Sequence, residues 1–329
     1  MKSTRIINLS FFMMLCIVWT HSRLPALENV PGYFHKLSLF NEVGQDAVPV
    51  FFLITGFLFF RNFSMEKYAS KLRSRFWSLV IPYIVWNAIG ALFWFFVISL
   101  SEYKYVGGSY YFDNIFEVIG DIFAAKYNVL WYIGVIIVYA IAAPLFYYLS
   151  KWGKIIGTIS VVVFFIVGST FHHPFCSPLL WMSVYMLGAL LGTYYKDYMF
   201  KPQHWALTVS SFILFPITVY LDHQYGTMLT VNLRMWASLF FFIGLYDMLN
   251  AIFHFKTYRV YSYSLFLYAT HYIPIHVLQR YIIINGGSTA YCWIAYLLVP
   301  IFVVCAVLCT AYLLDKHANR VYKFLSGNR

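Results

Sequence analysis

Histidine is the side chain best suited to proton transfer near neutral pH, and His21 stands just past the first apolar run, which follows Lys2 and Arg5. At that depth an imidazole can take a proton from a hydroxyl, or it can simply cap a helix end in water. Two more histidines follow late in the chain, in Ser264-Leu-Phe-Leu-Tyr-Ala-Thr-His-Tyr-Ile-Pro-Ile-His276. His271 and His276 are five positions apart, about 140° around a helix, so they do not make a metal pair. A basic run, Lys71-Leu-Arg-Ser-Arg75, enters another apolar segment. Arg73 and Arg75 have the forked donor geometry that holds phosphates; the plainer reading is a positively charged anchor at a membrane surface. Arg234 lies inside an apolar segment and requires a partner or a water-filled cavity. Asp247 is too far along the same helix to serve directly.

These groups sit in a chain of 329 residues that is 61% hydrophobic and 11% charged. A soluble domain carries about 25% charged residues, so the composition points to an all-α integral membrane protein. The net charge of +11 is then read through loop asymmetry rather than as a nucleic-acid signal. Aromatic residues reach 22%, mostly interfacial belts and lipid-facing bulk, with sugar stacking a use for a few. Apolar runs at 6–24, 47–60, 76–100, 129–149, 155–170, 179–195, 205–221, 228–249, 261–284 and 291–314 give about ten transmembrane helices. The second is short and is expected to start earlier, from residue 43, or to tilt. Pro82 is expected to kink the third. With both termini cytoplasmic, Arg23, Lys36, Lys104, Lys126 and Arg280 lie outside and Arg234 within a span. The rest of the 23 Lys and Arg lie inside.

The first apolar run follows basic residues as a signal peptide does, but no small-x-small cleavage site follows it, and it is expected to be a retained helix. The longest outside stretch, 101–128, contains a tyrosine-rich part, 103–111, that is a candidate for choosing an acceptor. It also contains an amphipathic segment in which Ile115, Phe116, Ile119, Ile122 and Phe123 share a face. Cys16, Cys176, Cys292, Cys305 and Cys309 show no metal-ligand spacing, and no disulfide is expected. His172 and His173 are adjacent, without supporting carboxylates, and no metal site is expected. The chain reads as a single domain over 1–329.

Five segments in this order resemble the membrane-bound acyltransferase-3 family. They are the helix-ending His21, Pro49-Val-Phe-Phe-Leu-Ile-Thr-Gly56, the basic run into Ile81-Pro-Tyr-Ile-Val-Trp-Asn87, Leu130-Trp-Tyr132, and Ser264-Leu-Phe-Leu-Tyr-Ala-Thr-His271. The resemblance implies a multi-pass protein of the bacterial inner membrane that O-acylates extracytoplasmic glycans or lipid-linked saccharides. It implies a cytoplasmic acyl-CoA as donor, acetyl-CoA first, and neither metal nor nucleic acid. On this reading His21 is the base or acyl relay. Arg73, Arg75, Arg5 and Trp131 serve the donor, and His271, Tyr268, Thr55 and Arg234 support the site or substrate. The chain departs from the family at Ser10, where a cation is common eleven residues before the histidine, and at Ile133-Gly134, where Arg-Asp is common. Arg5, about 7.5 Å from Ser10 along a helix, is the candidate substitute. A transporter or flippase for sugars and a catalytically impaired relative are the alternatives. Against the first, no internal repeat is visible.

Overall fold

The computed structural model describes residues 4–22, 43–100, 114–126, 129–170, 176–285 and 289–327; these form helices joined by short turns and loops, with no strand among them. His172, His173 and the tyrosine-rich stretch 103–111 lie outside the described residues. The helices are α1 (Thr4–Thr20), α2 (Val48–Phe60), α3 (Tyr68–Arg75), α4 (Ile81–Leu100), α5 (Ile115–Phe123), α6 (Trp131–Ile141) and α7 (Ala143–Lys151). They continue with α8 (Lys154–Thr170), α9 (Pro178–Tyr194), α10 (Trp205–Tyr225), α11 (Met228–Phe253), α12 (Ser264–Thr270), α13 (Tyr272–Asn285), α14 (Thr289–His317) and α15 (Asn319–Leu325).

Each apolar run of the sequence falls on a helix or a broken helix. Among the described residues five helical stretches are long and apolar enough to cross a membrane: Val43–Phe60, Met65–Phe96, Trp205–Tyr225, Met228–Phe253 and Trp293–His317. The bent pair α6–α7 makes a sixth if it is one span. The outer faces of α8, α10 and α14 expose Ile155, Ile159, Val162, Ile213, Leu298 and Phe302. An apolar surface of that extent suits lipid rather than water. The chain is therefore a multi-pass membrane protein.

The centre of the bundle is α2, which is apolar on every side and buried, as such a helix must be. The span that contains it begins at Val43, as the shortness of the run required. Its close neighbour is α9. Gly188-Ala-Leu-Leu-Gly192 places two glycines one turn apart against Gly56. A Cβ on Gly56 would meet the Tyr185 carbonyl at 2.5 Å, and one on Gly188 or Gly192 would meet the Leu53 or Phe57 carbonyl at 2.5 Å. Backbones this close need residues without side chains, the usual device where lipid removes the hydrophobic drive between helices. Phe52, stacked on Trp181 at 4.8 Å, continues the same seam.

Two of the helix breaks coincide with prolines. Two runs read as unbroken spans are not. The run 129–149 bends by 61° between α6 and α7; Pro144 removes an amide donor and crowds the carbonyl one turn back. The run 261–284 is a 3-10 turn (Arg259–Tyr263), then α12, a break at His271, and α13. Pro274 has the same effect on the Thr270 carbonyl. Before Pro82, where a kink is expected, the helix passes through a π-helical turn, Phe76–Val80, and Met65–Phe96 still runs as one span.

On α5, Val118 and Ile122 pack against Ala91 and Trp94 of α4. Ile115, Phe116, Ile119 and Phe123 are exposed, so the amphipathic helix exists but divides its apolar residues between protein and surroundings. Ion pairs tie distant segments together. Arg5 joins Asp247 across α1 and α11, and Arg234 of α11 joins both Asp46 and Asp222.

Candidate active site

His21 occupies the turn that ends α1. The Ser22 amide donates to the Trp19 carbonyl at 3.0 Å and the Ser22 hydroxyl to the same oxygen at 2.6 Å. Gln279 of α13 donates through Nε2 to the His21 carbonyl at 2.9 Å. A Cβ on Gly44 would lie 2.1 Å from Thr20 Oγ1, so the start of the second span packs directly on this turn. The backbone under His21 is thus held from three sides.

His271 comes to meet it from 250 positions away. The ring centres are 5.3 Å apart at 49°, and Tyr272 closes edge-on to His21 at 5.5 Å. His271 is fully buried. Its position in the break between α12 and α13 lets Nδ1 face two carbonyls, Leu267 at 3.0 Å and Tyr268 at 2.9 Å. Its Nε2 has no hydrogen-bond partner among the described residues. A buried nitrogen left bare is unusual, and here it lies beside the histidine that the sequence marks for proton transfer. His276 packs on Tyr272 at 4.2 Å and near Trp94 at 6.4 Å, on the flank of this pair.

A series of polar aromatics leads away from the histidines. Tyr268, 6.2 Å from His271 between ring centres, donates its hydroxyl to the Val129 carbonyl. Tyr132 stands edge-on to Tyr268 at 6.1 Å. The Tyr132 hydroxyl donates to the Phe51 carbonyl at 3.1 Å, which leaves it to accept from Thr55 Oγ1 at 2.6 Å. Arg75 lies within electrostatic reach of Tyr132 and Tyr185, with its guanidinium carbon 5.6 Å from the Phe59 ring centre. The contacts therefore run His21, His271, Tyr268, Tyr132, and Arg75 lies within electrostatic reach of the last ring.

Arg75 is half-buried, and none of the ion pairs among the described residues includes it. It lines a cavity of about 310 Å³ with Leu72, Arg73, Phe76, Val80 and Ile137. Arg73 on the same cavity is exposed. An inward guanidinium with unmet donors is a ready partner for a phosphate.

The other sequence candidates have different surroundings. Arg5 is bidentate to Asp247, at 2.9 Å from Nε and 2.7 Å from Nη2, and its Nη1 donates to the Met199 carbonyl at 2.7 Å. It borders a separate cavity of about 470 Å³ with Asn8, Tyr246, Asn250 and His254. As a substitute for the missing cation at Ser10 it would first have to leave Asp247. Arg234 is bound through Nε and Nη2 to Asp46 at 2.9 and 2.7 Å and through Nη1 to Asp222 at 3.2 Å. It ties α11 to the start of the second span and the end of α10. Trp131 stacks on Trp181 at 5.7 Å within the aromatic seam around α2. Among the described residues no group of three or more His, Cys, Asp or Glu is placed to hold a metal ion.

Several residues of this arrangement are not among the candidates that the sequence offers. Asp46 and Asp222 are the partners that Arg234 requires, and the one signal for Asp46 is its place directly before an apolar run. Gln279 is marked only as an amide within such a run. Tyr132, the neighbour of Trp131 in its segment, is the residue that links Thr55 to Tyr268.

The described helices form a membrane bundle in which His21 and His271 meet, with Arg73 and Arg75 on a separate, largely apolar cavity. The family model described as an acyltransferase domain matches residues 6–315, and the chain belongs to the acyltransferase-3 family. Searches among curated proteins and among solved structures give no match.

Proposed function

We propose that this protein is an integral membrane O-acyltransferase. It moves an acyl group, acetyl in the simplest case, from cytoplasmic acyl-CoA to a hydroxyl of a glycan or lipid-linked sugar outside the bacterial inner membrane, through a bundle of ten spans with both termini inside. The observation that supports this reading is the series of ring contacts from the His21–His271 pair through Tyr268 to Tyr132, with Arg75, a cation in no ion pair among the described residues, within electrostatic reach of Tyr132.

The donor supplies an activated thioester. Arg75, with Arg73 at the rim, holds its phosphates. His21 removes the proton of the acceptor hydroxyl as that oxygen attacks the thioester carbonyl carbon. A C–O bond forms, the C–S bond breaks, and the proton passes from His21 to the departing sulfur. The fixed turn beneath His21 keeps the imidazole in place throughout.

The test is transfer of labelled acetyl from acetyl-CoA into envelope glycan by membranes carrying the wild type or H21A. General-base removal is expected to lower transfer by about 10²–10⁴-fold with insertion unchanged. Wild-type transfer by H21A would end the assignment of His21.

A further inference from the structure

We propose that His271 is a positioning residue for His21: held with its proton on Nδ1, it accepts a hydrogen bond through Nε2 from a ring N–H of His21 and so leaves the other His21 nitrogen bare toward the acceptor hydroxyl. This rests on the transferase reading above.

The tautomer follows from the partners. Leu267 and Tyr268 present carbonyl oxygens to Nδ1 at 3.0 and 2.9 Å, and a carbonyl only accepts. Nδ1 therefore carries hydrogen. A second proton on Nε2 would create a charge in a fully buried ring and a donor with nothing to meet it. Nε2 is thus a lone-pair acceptor, and it is the atom without a partner.

Two hydroxyls nearby are already committed. The Tyr268 hydroxyl donates to Val129 and the Tyr132 hydroxyl to Phe51, both backbone carbonyls. His21 lies at the required spacing: two imidazoles joined by one N–H···N bond of about 3 Å have ring centres about 5 Å apart, and these are 5.3 Å apart. The rings are tilted at 49°, so bond formation needs reorientation of the His21 ring and no movement of helices. A neutral imidazole has one N–H and one lone pair. When His21 donates to Nε2, its remaining nitrogen is the base. The hydrogen bond persists when that nitrogen takes the proton, so the imidazolium is stabilised by a neutral group already in place.

The local fold is what makes this available. His271 ends α12: its backbone N–H donates to the Leu267 carbonyl at 3.0 Å, and its side chain turns back so that Nδ1 reaches the same oxygen and that of Tyr268.

Three substitutions separate the roles. A glutamine amide reaches the place of Nε2 and offers an oxygen that accepts a hydrogen bond but takes no proton. An asparagine amide ends near Nδ1 and offers nothing at Nε2. H271Q is expected to keep acetyl transfer within about tenfold of wild type. H271N and H271A are expected to lose about a hundredfold in kcat with the KM for acetyl-CoA unchanged. Monodisperse elution in detergent checks folding. H271Q as inactive as a folded H271A would make His271 the proton acceptor itself and overturn the positioning role, as would H271N at the wild-type rate.

Nitrogen NMR on histidine-labelled protein gives a readout independent of transfer. The resonances lost in H271Q are expected to be a protonated Nδ1 and a bare Nε2, and those of His21 are expected to move in H271A. A protonated Nε2 at residue 271, or His21 resonances indifferent to H271A, would overturn the proposal. If H21A instead transfers acetyl like the wild type, the assignment of His21 as base falls, and the NMR still reports whether the two rings are coupled.

Discussion

Arg234 and Arg75 both bring a guanidinium inside a helical bundle, and their surroundings differ in kind. Arg234 donates to two carboxylates, Asp46 and Asp222, contributed by two other parts of the chain. Arg75 has a phenylalanine face, two tyrosines within electrostatic reach and a cavity. The same contrast separates Arg5, matched atom for atom by Asp247, from His271, whose outward nitrogen meets nothing among the described residues. A charge or polar atom in a membrane interior is costly unless satisfied. Where the protein satisfies it, the residue holds helices together. Where it is left unmet, the position is ready for a new partner, an arriving anion at Arg75 and the reoriented His21 ring at His271.

The sharpest way to break this comparison is to remove the cation on the satisfied side. R234A leaves Asp46 and Asp222 buried together without their shared counter-charge. Removing one partner of a buried pair costs about 3–5 kcal/mol, and two carboxylates are stranded here. The expected result is a large fall in the yield and detergent melting temperature of folded protein, with the acetyl-CoA KM of the surviving fraction unchanged. D46N combined with R234A should recover part of the loss. A stable R234A with a raised donor KM would place Arg234 with Arg75 and dissolve the distinction.

The sequence reveals the satisfied and the unmet groups unequally. Helices are legible in it because twenty-residue apolar runs have few alternatives in lipid, and the backward extension to Val43 follows from length alone. The breaks at Pro144 and Pro274 are not legible, although both prolines stand in plain view. A proline inside an apolar run is often absorbed, as Pro216 is in α10 and Pro300 in α14, and packing decides which ones interrupt. Arg234 clearly needs a partner, but Asp46 lies 188 positions away and no local period connects them. In the sequence, only the resemblance to a family puts His21 and His271 in one site; their types and spacing do not imply contact. Arg73 and Arg75 are indistinguishable there, since an anchor and a ligand have the same side chain.

That last pair gives the next prediction. R75Q is expected to raise the KM for acetyl-CoA by about 10–100-fold, the 1.4–2.8 kcal/mol of one or two charge-assisted hydrogen bonds. Its melting temperature should hold or rise, because an unneutralised guanidinium is removed from a half-buried place. R73Q, an exposed neighbour on the same cavity, should shift stability by less than about 0.5 kcal/mol and the KM only slightly. Equal KM effects from the two would mean that the run acts as a diffuse field and not through one inward donor set.

The smallest effect tests whether the path between the two ends is structural or conductive. In T55V the methyl-for-hydroxyl exchange keeps the shape of α2 and removes the donor to Tyr132. The Tyr132 hydroxyl still donates to the Phe51 carbonyl at 3.1 Å, so no buried donor is orphaned. One lost hydrogen bond of this type costs about 0.5–1.5 kcal/mol. If the Thr55–Tyr132 contact only packs the seam, stability falls by that amount, read as a lower melting temperature, and transfer is unchanged. If Tyr132 must swing away from Thr55 for the acyl chain to pass, loosening it raises kcat while the donor KM set by Arg75 stays constant. The contact joins the region that meets the donor to the region that takes the proton, so the direction of the kcat change, more than its size, tells which of the two regions limits the rate.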